Sequence, residues 1–126
     1  MLSSTDISRI VSRIVEGYRP LVVGTFGSYA IGRPHEGSDL DLFIIKQTAH
    51  GTLERRLVVR RLLVDFLHPL DIHVFTPAEF EESAGEAHSF VRTIVEQACI
   101  YHWASESAGV VPSLERIQCI NGTRSR

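Results

Sequence analysis

"FGSYAIGRPHEGSDLDLFII", running from Phe26 to Ile45, decides how this chain is read. Its end is apolar and rich in isoleucine and leucine and predicts a buried strand from Leu40 to Lys46, yet Asp39 and Asp41 stand just before and inside it. Acidic residues are poor strand formers and costly to bury without a partner. Side chains alternate along a strand, so Asp39, Asp41 and Phe43 share one face while Leu40, Leu42 and Ile44 point to the other. The two acids are presented together, about 6.6 Å apart at Cα. A bare carboxylate pair at about 4 Å repels by roughly 4 kcal/mol in a medium of effective dielectric near 20, and one member then holds its proton. A divalent cation removes that penalty.

Outward from this stretch, the order of elements follows from period and punctuation. Ile7, Ile10, Val11, Ile14 and Val15 recur at helical spacing behind the capping residues Ser3 to Asp6, which predicts an amphipathic helix over Ser4 to Gly17, stopped by Gly17 and Pro20. "LVVGTF", Leu21 to Phe26, reads as a short buried strand. Gly27 and Ser28 open a helical turn that Gly32 closes, and the loop "RPHEGS" leads to the acidic strand. A helix is expected over Leu53 to Leu67, with Leu53, Leu57, Val58, Leu62 and Phe66 as its core face and Arg55, Arg56, Arg60 and Arg61 on its other faces. Pro69 ends it, and "LDIHVF", Leu70 to Phe75, is the third strand. Thr76, Pro77 and Glu79 have the spacing of a capping box at the start of another helix, and a last helix is expected over Ser89 to Cys99.

Strands separated by helices predict an α/β (α+β) domain, a small mixed sheet flanked by helices. The interval Gly27 to Ser38 is short for a helical crossover, which favours an antiparallel or mixed arrangement over an all-parallel one. The domain is expected over residues 1–104. Residues 105–126 are sparser in apolar side chains and end polar and basic, so they are expected as a loosely attached tail.

The composition excludes several classes. With 126 residues, 44% hydrophobic, 22% charged and a net charge of -2, the chain has the profile of one globular domain without the excess of Lys and Arg that general nucleic-acid binding requires. Neither a signal peptide nor a membrane span is visible, which makes the cytoplasm the expected setting. Cys99 and Cys119 are far apart in sequence and lack any Cys-x-x-Cys partner, so free thiols are expected. The six histidines show no metalloprotease spacing, and neither a Gly-x-Ser-x-Gly elbow nor a phosphate-binding loop ending in Gly-Lys-Ser/Thr is present.

A third acid, Asp71, shares a strand face with His73. If that strand lies beside the second, Asp39, Asp41 and Asp71 meet at one end of the sheet as an all-oxygen donor set suited to Mg²⁺. Upstream, a strand that ends in Gly27-Ser28 and enters a helical turn leaves backbone N–H groups and the Ser28 hydroxyl for a phosphate, with Arg33 just beyond. Asp65 competes as third acid but falls in the helical pattern. For His73 a hydrogen-bonded, partly buried imidazole is favoured over a metal ligand, and Tyr101 and Trp103 suit core or interface.

Gly27-Ser28, ten intervening residues, then Asp39-Leu40-Asp41-Leu42 resembles the signature of the DNA polymerase beta nucleotidyltransferase superfamily, and the small chain is similar to its minimal nucleotidyltransferase branch. "LDIHVFTPAEF" is similar to that family's third-acid strand. The resemblance implies Mg²⁺, with two ions expected, on Asp39, Asp41 and Asp71 as catalytic residues, and ATP as a nucleoside triphosphate substrate held at Gly27, Ser28 and Arg33. Tyr29 and Ile31 stand where many members carry arginine. It implies transfer of AMP to a hydroxyl acceptor, and a protein partner: a small helical HEPN-type toxin, toward which this chain would act as antitoxin, or a second copy. The rival expectation is a non-catalytic module of the same fold that neutralises a partner by contact.

Overall fold

The computed structural model describes residues 1–117, 119–120 and 123–124. The chain runs α1 (Ser4–Tyr18), β1 (Val22–Phe26), α2 (Gly27–Ala30), β2 (Leu40–Ile45), α3 (Thr52–Leu62), β3 (Leu70–Phe75), α4 (Pro77–Ala84), α5 (Phe90–Gln97), β4 (Cys99–Trp103), two short 3₁₀ turns (Ser105–Ser107 and Pro112–Leu114), β5 (Cys119–Ile120) and β6 (Thr123–Arg124). The strands form one six-stranded sheet in the order β3-β2-β1-β4-β5-β6. It is mixed, as expected. β2 pairs antiparallel with β1, and parallel with β3 across the helical connection α3.

The sheet separates two cores. On one face Val23, Leu40, Leu42, Ile44, Leu70, Ile72 and Val74 pack under α1 and α3, and on the other Val22, Phe26, Phe43 and Ile45 pack under α4 and α5 with Phe80, Val91 and Ile94. Alternation along β2 sends Leu40, Leu42 and Ile44 to the first core, so Asp41 continues the second face beyond the end of the apolar packing. Ser3 and Asp6 close a capping box on α1, and Thr76 and Glu79 close the expected one on α4.

Several local expectations are corrected. Gly17 does not end α1: the helix continues to Tyr18 and Arg19 takes the left-handed cap at φ 51, while a Cβ on Gly17 would stand 2.5 Å from Leu62 of α3. Of the expected core face along and just after α3, Val58, Leu62 and Phe66 pack against the core, but the most buried positions are others. Val59, Leu63 and Arg55 are buried, whereas Leu53 is 65% and Leu57 45% exposed. Arg55 is accommodated because its guanidinium pairs with Glu79 at 2.7 Å and its Nε donates to the His50 carbonyl at 2.7 Å. The last helix stops at Gln97, and Cys99 begins β4, a strand absent from the sequence reading that pairs antiparallel with β1.

Beyond Ser105 the chain expected as a loose tail contributes Ser107, Val111, Leu114 and Cys119 to the buried set. Ser107 Oγ donates to the Leu21 carbonyl at 2.8 Å and Ser113 Oγ donates to Glu81 at 2.9 Å. Cys99 and Cys119, expected as free thiols, form a disulfide, because β5 runs alongside β4 and sets their Cα atoms 4.5 Å apart. Of the segment beyond Ser105, positions 118, 121, 122, 125 and 126 lie outside the described residues. Among the described residues no helix is long and apolar enough to cross a membrane.

Candidate active site

The site is assembled by strand register. β2 and β3 pair so that Asp41 lies directly opposite Asp71, and β1 and β2 pair so that Phe26 lies opposite Asp41. The residue after Phe26 is Gly27, with φ +72, a left-handed conformation strained for any residue with a side chain. A Cβ there would collide with Asp41 Oδ2. The glycine thus serves both needs: it turns the chain from β1 into α2 and lets the backbone approach the carboxylate.

Asp41 is half-buried, and its pKa is pushed up to about 6 by burial first, then by the neighbouring charges of Asp71 and Asp39, with His73 acting in the opposite sense. A hydrogen bond with Asp71 adds to the rise. Two carboxylates set this close repel when both are ionised, and positive charge between them relieves that repulsion. Asp39 precedes β2, is exposed, and acts on Asp41 through its charge.

Asp71 has a second partner. His73 Nε2 lies 2.9 Å from Asp71 Oδ2, two residues along the same strand face. The imidazole packs in a cluster with two aromatic rings, its centroid 5.7 Å from Phe26 and 4.9 Å from Phe90, which are themselves 5.6 Å apart. His73 is therefore held against Asp71, in line with the hydrogen-bonded role favoured for it over a ligand role.

Turn α2 brings Gly27 and Ser28 to the same end of the sheet, both half-buried. The Gly27 N–H donates to Gln97 Oε1 at 2.9 Å, and the Arg33 N–H donates to the Ser28 carbonyl at 2.9 Å, which ties the exposed Arg33 to the turn. Gln97 escaped the sequence reading: seventy positions separate it from Gly27, and no local pattern marks a glutamine at a helix end as facing a turn. Asp65 is remote from this group and pairs with Arg13 at 2.8 Å, so the competing third acid is a partner in a surface ion pair. An apolar cavity of about 420 Å³ lies elsewhere, against Ile100, Trp103, Leu114 and Ile117, and none of the three acids lines it.

Among the described residues, no group of three His, Cys, Asp or Glu side chains is placed to hold a metal ion, so the expected convergence of Asp39, Asp41 and Asp71 is not seen: Asp41 and Asp71 face each other, and Asp39 acts on Asp41 through its charge. Mg²⁺ does not require such a group, since it is commonly held by one or two carboxylates together with waters and substrate phosphates. The donor set fits that ion: hard oxygens on Asp41 and Asp71, electrostatically unsatisfied, beside a backbone cradle that a Cβ would fill.

Comparison with known proteins bears on the fold and the family. No curated protein matches the sequence. Among solved structures, a toxin-antitoxin crystal structure with AMP-PNP superposes with a TM-score of 0.61 at 15% identity, covering 90% of this chain and 84% of that one. A mutant of the toxin-antitoxin pair MntA-HpeT gives 0.59 at 14% identity, covering 90% and 84%. A protein from Sulfolobus solfataricus assigned as a nucleotidyltransferase gives 0.55 at 20% identity, covering 79% and 78%. At these identities the likeness shows the fold. The sequence itself matches the model of the nucleotidyltransferase domain over residues 6–102, and the chain belongs to that family.

Proposed function

We propose that this protein is a Mg²⁺-dependent nucleotidyltransferase that moves AMP from ATP to a hydroxyl group of a partner protein, with release of pyrophosphate. The observation that carries the reading is the register that sets Asp41 opposite Asp71, with Gly27 closed against the Asp41 carboxylate. Asp41 and Asp71, assisted by Asp39, would hold Mg²⁺, which supplies charge neutralisation for the triphosphate and acidifies the attacking hydroxyl. Gly27 and Ser28 orient the triphosphate through backbone and hydroxyl donors, and Arg33 adds positive charge at its outer end. Asp71 takes the hydroxyl proton on the acceptor side.

Two observations support a protein acceptor. The structural neighbours include toxin-antitoxin proteins, one of them with AMP-PNP. On this chain, Leu53, Leu57, Val64 and Leu67 are exposed along and just after α3, an apolar run of the kind that marks protein contact surfaces. A small helical HEPN-type toxin is the partner this reading favours, with the chain acting as its antitoxin.

One observation favours the rival, a module that neutralises its partner by contact alone: the Gly27 N–H, a donor the triphosphate would use, is bonded to Gln97. Incubation with α-labelled ATP, Mg²⁺ and the co-purified partner separates the two. Label on the partner with the wild type, and none with Asp41→Asn, is the expected result; a stable complex that never acquires label refutes transfer.

A further inference from the structure

We infer that His73 is a positioning residue for the reaction: its Nε2–H donates to Asp71 Oδ2 and holds that carboxylate toward Asp41, while Phe26 and Phe90 hold the imidazole. The inference rests on the proposed role of Asp71 and concerns how that acid is aimed.

The geometry is specific. Asp71 and His73 alternate onto the same face of β3, where Asp71 pairs across to Asp41 and His73 to Phe43. The Asp71 side chain is 47% exposed, whereas the His73 side chain is only 29% exposed and better fixed. An ionised carboxylate only accepts, so the bond requires the proton on Nε2. Phe26 is the last residue of β1, and Phe90 is the first of α5, whose far end supplies Gln97 to Gly27. The same two elements that build the cradle therefore each set a ring against the imidazole that orients the acid. Hydrogen bonds of this kind to metal-binding groups are worth about 10- to 100-fold in metal affinity or activity.

Two substitutions divide the donor from the packing. His73→Phe keeps a ring against Phe26 and Phe90 and removes the donor, while His73→Gln keeps an N–H donor near the position of Nε2. Mn²⁺ affinity, measured by electron paramagnetic resonance without nucleotide, is expected to fall about 10- to 100-fold in H73F and to stay within about threefold of wild type in H73Q. The transfer rate should follow the same order, with kcat/KM for ATP lowered in H73F and close to wild type in H73Q. In the ligand-free wild type, long-range ¹⁵N–¹H spectra should show Nε2 of His73 protonated. Equal Mn²⁺ affinity in wild type and H73F, equal loss in both variants, or an Nε2 without a proton overturns the inference alone. A wild type that binds no Mn²⁺ overturns the parent reading, and the inference falls with it.

Discussion

Asp41 concentrates the chemistry of the site at a single residue. Its folded pKa is raised to about 6 from 3.8, so the metal-free fold takes up a proton that the unfolded chain releases. The resulting stabilisation is fully present below about pH 4 and is lost as pH rises through 6. Asp41→Asn removes the penalty: it should stabilise the metal-free protein by about 1 kcal/mol above pH 7, after discounting for solvent screening, with the gain vanishing toward pH 4. Thermal melts across that range check this, and no pH dependence of the difference would contradict it. Gly27→Ala should do the reverse, destabilising by about 1–3 kcal/mol because a left-handed backbone acquires a Cβ that meets the Asp41 carboxylate. These positions were legible in sequence because each breaks a local rule: acids in a strand, and a glycine where a strand turns into a helix. The partners of those residues were less visible. Asp71 could be named because it too interrupts an apolar strand, but Gln97 obeys every local rule and becomes significant only when α5 is laid beside β1.

At the scale of elements, the strands that carry the acids were predicted nearly to the residue, and α3 was not. Leucines and arginines are both frequent along it, so two faces have helical periodicity: Leu53 with Leu57, and Arg55 with Val59 and Leu63. An apolar count prefers the first. The fold chose the second because Glu79, part of the α4 capping box, awaits the Arg55 guanidinium below the helix. Glu79 is correspondingly held below the usual glutamate range, chiefly by its hydrogen bond to Arg55. Arg55→Leu should destabilise the fold by about 2–3 kcal/mol in urea titration, since it strips a buried network of its centre, and a loss under 0.5 kcal/mol would deny the pair that role. β4 was hidden for a related reason: helical periodicity runs from Val91 through Ile94 and Val95 into Cys99, and only antiparallel pairing to β1 sets the boundary at Ala98.

The whole molecule is a mixed sheet between two helical layers, whose acidic end stands where β1, β2 and β3 meet. The chain beyond Ser105 closes the opposite side of the sheet, and the disulfide between Cys99 and Cys119 packs with Ala30 of the cradle turn. With its cysteines at a sequence separation of 20, its reduction should cost about 3 kcal/mol, measured as a lower melting temperature in reductant that Cys119→Ser reproduces. Such long-range closure has no local signature, which is why composition alone suggested a tail. The central claim remains that Asp41 and Asp71 hold one magnesium ion beside a triphosphate. Its most direct test is calorimetric titration of a non-hydrolysable ATP analogue into wild type and Asp71→Asn, each with Mg²⁺ and with EDTA. The account predicts binding to the wild type that disappears with EDTA and weakens at least about tenfold in D71N; binding indifferent to both metal and Asp71 would contradict it.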